Sequence, residues 1–394
     1  MAMIPRLLTE QTKRAATWFP IVSVTGPRQS GKSTLVRNAF PSYDYLNLED
    51  PNLRTQAQVD PISFIRNRPK NLIIDEAQYA PDLFSMIQVA ADETHEPGQY
   101  VLSGSQNFLL LKQIKQSLAG RVGILKLMPL SYTEALEANP DLGIEDFALT
   151  GGYPHLHDAN VPKSLFFESY IDSYIERDVS EYLDVRNLSL FRTFLRLCAQ
   201  HVGGLIKPTS LANEIGATYR TISSWLSILE SSYITFNLPP FFGNLNKRLI
   251  KTPKLYFTDT GLLCHLLRIE TVDDLLNHPL FGEIIENLVI SETIKRYYNA
   301  LKTPELYFYR DDSKIEVDLI DCTKSRINPE LFEIKSGRTY HDRFSRHLRS
   351  VGTSLNVDDD HRTVIMRSNG EYQDHGVGVC GLRDYLLRKE SPVS

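Results

Sequence analysis

The sequence predicts an α/β fold shared among several modules, and three observations carry that expectation. From Pro20 to about Tyr132, short β-branched runs alternate with helical stretches, the pattern of a mostly parallel sheet with crossover helices. The chain has 394 residues, which at about 150 residues per domain gives two or three domains rather than one. Its composition is globular, with 42% hydrophobic and 23% charged residues, 21 glycines and 21 prolines. That excludes a disordered or fibrous chain and lets every module bury a core.

Taken in order, the first module is expected to hold strands at 21–25, 43–48, 71–75, 100–103 and 123–127. Helices such as 32–40 and 82–92 separate them, the second opening just after Pro81. Residues 163–201 read as a helical connector, because Phe167, Tyr170, Ile171 and Tyr174 recur at three- and four-residue steps on one stripe. Two short helices parted at Gly216 follow, then a Pro- and Asn-rich ribbon at 239–253. The last part opens with a helix at 282–298 and continues with strands at 306–310, 316–321, 331–334 and 363–366. The chain thus divides into 1–150, 151–268 and 269–394.

Charge and cysteine usage bound the function classes. Lys and Arg number 43 against 48 Asp and Glu, a net charge of −5, so a uniformly basic chain that holds nucleic acid by bulk attraction is excluded and any such partner must meet a local patch. Cys198, Cys264, Cys322 and Cys380 form no CxxC pair, which argues against a zinc knuckle or disulfide framework and for a reducing cytoplasm. No run of about 18 apolar residues occurs, so neither a signal peptide nor a membrane span is expected.

The strongest motif is Gly26-Pro27-Arg28-Gln29-Ser30-Gly31-Lys32-Ser33, which matches GxxxxGK[ST] between an expected strand and an expected helix. Gly26 and Gly31 let the loop curl so that backbone N–H groups surround phosphates, and the helix N-terminus adds its dipole. Lys32 would reach the β- and γ-phosphates of ATP, and Ser33 would hold Mg²⁺; Thr34 completes the candidate nucleotide-binding stretch. Downstream, Leu72-Ile73-Ile74-Asp75-Glu76 is an apolar strand ending in two acids. Asp75 would position the Mg²⁺ shell and Glu76 would polarise the attacking water. Ser105, past the strand at 100–103, is the candidate sensor of the γ-phosphate, with a helix-capping role as the alternative. Arg121 is a rigid cation that can serve as an arginine finger or as an ordinary ion pair.

These residues, with Ala119-Gly120-Arg121, the run from Pro129 to Glu134 and Gly151-Gly152-Tyr153-Pro154, resemble prokaryotic AAA-type P-loop ATPases that carry a C-terminal domain of unknown function. The resemblance covers nearly the whole chain and implies the strand order 5-1-4-3-2. An arginine acting in trans would further require a homo-oligomer.

In the middle module, Leu211, Ile215, Ile222, Leu226 and Leu229 fall at helical steps on two helices joined around Gly216-Ala217-Thr218, a helix-turn-helix pattern. The second helix is expected to expose Tyr219, Arg220, Ser223, Ser224 and Ser227. The ribbon carries Lys247, Arg248, Lys251 and Lys254 with no acid between Phe241 and Leu255, as a wing against a DNA backbone would. The resembled family carries a winged helix here, which supports the fold more than the contact; winged helices also serve as packing modules.

The C-terminal module offers Glu286 on a helix, Asp318 on one strand, and Glu333 with Lys335 on the next. Residues two apart on a strand share a face, so Glu333 and Lys335 point together while Phe332 and Ile334 enter the core. The set is similar to the PD-(D/E)XK nuclease superfamily. That resemblance implies Asp318 and Glu333 as Mg²⁺ ligands, Lys335 as the lysine and Glu286 as the helix acid, with Glu283 a weaker candidate. Arg338, Arg343, Arg346 and Arg349 follow and can track a phosphate backbone. His155-x-His157, Cys264-His265 and the acidic run ending at His361 read as loop, packing and turn. The expectation is therefore an ATP-hydrolysing AAA-type protein that associates with DNA. The alternatives are an ATP-gated binding protein without nuclease chemistry and a protein-remodelling switch.

Overall fold

The computed structural model describes residues 3–104, 110, 114, 117–159, 161–174, 179, 188–242 and 251–392. The N-terminal sheet comprises β1 (Ile21–Thr25), β2 (Asp44–Asn47), β3 (Leu72–Asp75), β4 (Tyr100–Ser103) and β5 (Val122–Lys126). Its order is β2-β3-β4-β1-β5, all parallel, which is 5-1-4-3-2 read from the other edge. The apolar runs explain the order. Strands β1, β3 and β4 are buried along their whole length and take the interior, whereas β2 and β5 mix polar and exposed positions and take the edges. Ile21, Ile74 and Leu102 pack on Phe84 on one face; Val22, Val24, Ile73 and Val101 pack on Leu35 and Val36 on the other.

The connector stripe is buried as expected: Phe167, Tyr170, Ile171 and Tyr174 all face inward from the helix Lys163–Tyr174. The two short helices are Pro208–Ile215 and Tyr219–Ser231, with Gly216 left-handed at φ 70° between them. Trp225 anchors the second against Phe191 and Phe194 of the helix Leu188–Gln200, at ring distances of 5.4 and 5.3 Å. Strands β6 (Thr235–Leu238) and β7 (Lys254–Phe257) form an antiparallel ribbon. The segment between them includes Lys247 and Arg248, which lie outside the described residues.

The C-terminal sheet comprises β8 (Leu306–Arg310), β9 (Glu316–Asp321), β10 (Glu330–Lys335), β11 (Arg362–Met366), β12 (Glu371–Asp374) and β13 (Val377–Gly381). It is mixed, in the order β12-β13-β11-β10-β9-β8. The sequence pattern does not predict β12 and β13, because β12 is polar and mostly exposed; His375 and Gly376, at φ 45° and 76°, turn the chain between them. The helix Phe281–Asn299 runs 19 residues, about 28 Å, and packs on β10, β7 and β5. One apolar core runs without a break from Leu130 through the connector and the ribbon to Tyr385. The four cysteines are free and buried, and among the described residues no helix is long and apolar enough to cross a membrane.

Candidate functional sites

Strand β1 ends at Thr25, and the chain curls through Gly26 to Gly31 into the helix Lys32–Ala39. Gly26 sits at φ 151°, where a Cβ would run into the Leu127 carbonyl; Gln29 and Gly31, at φ 58° and 90°, complete the concave loop. Pro27 and Ser30 are buried, Arg28 is half-buried, and Gln29 and Thr34 are exposed. The buried Lys32 ammonium donates to the carbonyls of Gly26 (3.0 Å) and Pro27 (2.7 Å), across the mouth of the loop. Arg6 braces the loop from behind. Its guanidinium donates to the carbonyls of Ser30 and Met128, both at 2.6 Å, and pairs with the Glu134 carboxylate at 3.0 Å.

The parallel register carries Asp75 to the same, C-terminal end of the strands. Its Oδ1 accepts from the Ser103 hydroxyl (2.5 Å), and its Oδ2 accepts from the Tyr45 phenol (2.6 Å). Tyr45 also hydrogen-bonds Ser33, so the phenol stands between the two residues expected to hold Mg²⁺; burial, aided by Asp75, pushes its pKa well above the usual tyrosine value. Glu76 is left-handed at φ 53° and accepts from the Gln78 amide at 2.5 Å. The other end of that amide, Oε1, is buried without a hydrogen-bond partner among the described residues. Ser105 lies outside the described residues; the polar side chain of β4 that reaches Asp75 is Ser103.

Arg121 lies at the opposite end of the sheet. It precedes β5, whose Val122 pairs with Ile21 at the start of β1, four residue steps or roughly 13 Å from the phosphate-loop end. Its guanidinium pairs with Asp92 at 2.5 Å. Within its own chain Arg121 therefore cannot reach a nucleotide at Gly26.

The second cluster forms where two strands of the C-terminal sheet part. Strands β9 and β10 pair up to Leu319 and Phe332, beyond which the Ile334 N–H donates to Asp318 Oδ2 at 2.8 Å. Glu333 Oε1 pairs with Lys335 Nζ at 2.6 Å, and the same ammonium stands 3.8 Å from Asp318 Oδ2. Phe332 and Ile334 enter the core, Phe332 against the Tyr385 ring at 5.4 Å. Glu286 joins from the helix Phe281–Asn299, whereas Glu283 lies beside Gly203. Glu286 Oε1 accepts the Lys254 ammonium (2.9 Å) and the Tyr256 phenol.

The placement of Lys254 corrects the reading of the ribbon as a four-cation wing. Lys254 is 3% exposed, and besides Glu286 it pairs with Glu316 Oε1 at 2.6 Å; Glu316 Oε2 in turn meets Arg310 at 3.2 Å. The register of β7 against β6 points the side chain into the molecule, so the absence of acids nearby in sequence did not leave it free for a phosphate. Of the described ribbon cations, Lys251 is exposed. Tyr219, Arg220, Ser224 and Ser227 are exposed as expected, but Ser223 is half-buried because it abuts the packed face around Ile222. Arg338, Arg343 and Arg346 are exposed, while Arg349 is engaged by Asp342 and Ser345.

Electrostatics set this cluster apart. Burial raises the Glu286 carboxyl to about 7 against the pull of Lys254, and raises Glu333 to about 8 with help from the Asp318 charge. Burial lowers the Lys335 pKa, but Asp318 and Glu333 outweigh it and hold the ammonium above the usual lysine value. Glu333 Oε2 is buried and has no hydrogen-bond partner among the described residues. Glu286, Asp318 and Glu333 do not bring three oxygens within 4.8 Å of one another; among the described residues that spacing occurs at Asp342, Asp374 and His375 on the surface.

A pH dependence follows. The unfolded chain releases these protons near 4.5, while the native state keeps them until about 7 to 8, so the native state binds more protons in that window and stability falls as pH rises through it. In EDTA, Glu333→Gln is expected to melt above the parent at pH 8.5, with the gap closing toward pH 4.5. Calorimetry across that range checks it, and a gap that widens on acidification refutes the cause.

The two clusters are linked by buried contacts. Glu134, which pairs with Arg6, also accepts the N–H of Ser131 at 2.9 Å in a capping box, and the next N–H, of Tyr132, donates to Glu292 Oε2 at 2.8 Å. Glu292 Oε1 pairs with Lys295 at 2.8 Å, and Lys295 also donates to the Leu130 carbonyl at 3.1 Å. Both residues stand on the helix that carries Glu286. Sequence reasoning missed Arg6, Tyr45, Gln78 and Ser103, and read Lys254 as a wing cation; of the four missed, Ser103 had a signal, as the polar end of an apolar strand.

Comparison with known proteins divides the chain. Residues 19–136 match an AAA domain, 142–273 a domain of unknown function (DUF8612), and 281–385 a second domain of unknown function (DUF4143). The uncharacterized protein Rv2008c of Mycobacterium tuberculosis is 31% identical over 350 residues, covering 88% of this chain and 76% of that one; Mb2031c of Mycobacterium bovis matches equally. An uncharacterized protein of Haemophilus influenzae is 23% identical over 93% of this chain and 94% of its own. Among solved structures, the Walker-type ATPase PABY2304 of Pyrococcus abyssi superposes with a TM-score of 0.44 at 15% identity, over 66% of this chain and 94% of that one.

Proposed function

The chain belongs to the family of the two mycobacterial relatives, with an AAA domain of P-loop ATPase fold leading into a DUF4143 domain, and from that premise we propose that it hydrolyses ATP and associates with DNA through its middle and C-terminal modules. The observation that carries the ATPase half is the strand order, which gathers Lys32, Ser33, Asp75, Glu76 and Ser103 beyond the C-terminal ends of the interior strands. Hydroxyl and carboxylate oxygens are hard donors, so Ser33 and Asp75 fit Mg²⁺, which when bound neutralises phosphate charge. Lys32 would leave the loop carbonyls for the β- and γ-phosphates, Glu76 would orient the attacking water, and Gln78 would hold Glu76. Tyr45 must yield its bond to Asp75 or share it. Arg121 suits a finger only toward a second copy of the chain, which makes ATP turnover a property of an oligomer.

For DNA, the exposed Tyr219, Arg220, Ser224 and Ser227 on one helix, with Lys251, Arg338, Arg343 and Arg346, make a local cationic and polar surface on an acidic protein. We read the middle module as a winged helix and the C-terminal cluster as nuclease-like. Asp318 and Glu333 would hold Mg²⁺ there, and the unpartnered Glu333 Oε2 fits that role. The test incubates plasmid and linear DNA with the protein and Mg²⁺ or Mn²⁺. Cutting by the parent but not by Asp318→Ala or Lys335→Ala is expected. No cutting by any of the three supports the second reading, an ATP-gated binding protein without nuclease chemistry. The engagement of Glu286 Oε1 by Lys254 and Tyr256 favours that second reading.

A further inference from the structure

The C-terminal cluster contains a residue that belongs to another module, and its contacts suggest what the cluster binds. Four carboxylates meet there, Glu286, Glu316, Asp318 and Glu333, and three cations answer them, Lys254, Lys335 and Arg310. The carboxylates divide into two groups by what their oxygens already hold. Glu286 Oε1 takes an ammonium and a phenol, and Glu316 takes Lys254 on one oxygen and Arg310 on the other. Glu333, 7% exposed, keeps Oε2 buried and unpartnered, beside an Asp318 that has taken one N–H on Oδ2.

Lys254 is not placed by chance of rotamer. Its backbone is held in β7 opposite Leu238, and its ammonium lies 5.4 Å from the centre of the Phe308 ring. A buried ammonium is retained only where carboxylates compensate it, and the converse holds for the two acids it joins. With all seven groups ionised, the state that metal ligation requires of the acids, the cluster carries one surplus negative charge, which Lys254 keeps from being two.

We infer that the C-terminal cluster takes a single divalent cation, at Asp318 and Glu333, and that Lys254 fills the place of a second cation at Glu286 and Glu316. The inference deepens the nuclease-like reading of this cluster and rests on it. Lys254 is here a positioning residue: it fixes Glu286 and keeps that acid from ligating metal, and because it arrives on the ribbon, removing it changes how many ions the cluster holds.

The test counts bound Mn²⁺ by electron paramagnetic resonance in nucleotide-free chains that all carry Asp75→Asn and Asp374→Asn, so that neither the phosphate-loop acid nor the surface group at Asp342, Asp374 and His375 adds to the count. The chain with Lys254 intact is expected to hold one Mn²⁺, lost in Asp318→Asn. Lys254→Met is expected to hold two, and its melting temperature to rise with Mn²⁺ far more than that of the chain with Lys254. Lys254→Met can fail to fold without metal, so Lys254→Met/Glu286→Gln, which removes both charges of the pair, serves as the second variant; it is expected to fold and to hold one. One ion of unchanged affinity in Lys254→Met overturns the inference and leaves the nuclease-like reading standing. A Lys254→Met chain that stays unfolded at saturating Mn²⁺ also overturns it. No Mn²⁺ in the chain with Lys254 intact overturns that reading together with the inference.

Discussion

Lys32→Ala is expected to lower ATP turnover at least about a hundredfold, the scale on which losing one preorganised donor to transition-state charge is felt. The present geometry explains why no neighbour substitutes for it. The Lys32 ammonium is buried at the loop mouth, 3.0 Å from the Gly26 carbonyl and 2.7 Å from that of Pro27, so under the proposed function a short shift would carry it from carbonyl oxygens to phosphate oxygens. Arg6, which also reaches the loop, is turned to its outer side by bonds to Ser30, Met128 and Glu134. Alanine is the best helix former, so the variant keeps the helix Lys32–Ala39. Phosphate release measured beside binding of a fluorescent nucleotide separates lost chemistry from lost fold. Turnover equal to the parent's would sink the ATPase assignment.

Glu292→Ala is expected to destabilise the folded chain by about 3–5 kcal/mol, the usual consequence of removing one partner from a buried ion pair. The variant strands the Lys295 ammonium, 3% exposed, with the Leu130 carbonyl and the Phe147 ring face 5.7 Å away, and leaves the Tyr132 N–H without its acceptor. Removing both charges in Glu292→Met/Lys295→Met is expected to cost much less, because no buried charge is left uncompensated. Urea midpoints of the two variants against the parent check this. Equal losses in the single and double variants would show that volume, not charge, holds the AAA domain to the long helix.

What could be read from the sequence was local. The phosphate loop and the acids at the end of β3 are contiguous motifs, and each needs only its own strand and the turn or helix after it to be placed correctly. Strand runs and the buried stripe at Phe167 to Tyr174 follow from periodicity alone. The exposed β12 was missed because a polar edge strand buries too little to leave a pattern.

By itself, then, the sequence determined the α/β class, the GxxxxGK[ST] loop at Gly26 to Ser33 and the identity of the acid–lysine set at Asp318, Glu333 and Lys335. Only the tertiary structure decided that Lys254 pairs with Glu286 and Glu316 instead of a phosphate backbone, that Tyr45 and Ser103 hold Asp75, and that Arg121 stands away from its own phosphate loop. The physical reason is the same in each case. A side chain's charge state and partners depend on what is packed against it, and here those partners come from strands and helices distant in sequence: 32 residues separate Lys254 from Glu286, and 30 separate Tyr45 from Asp75. Spacing along the chain carries secondary structure, whereas burial and pairing across it are settled only when the sheets close.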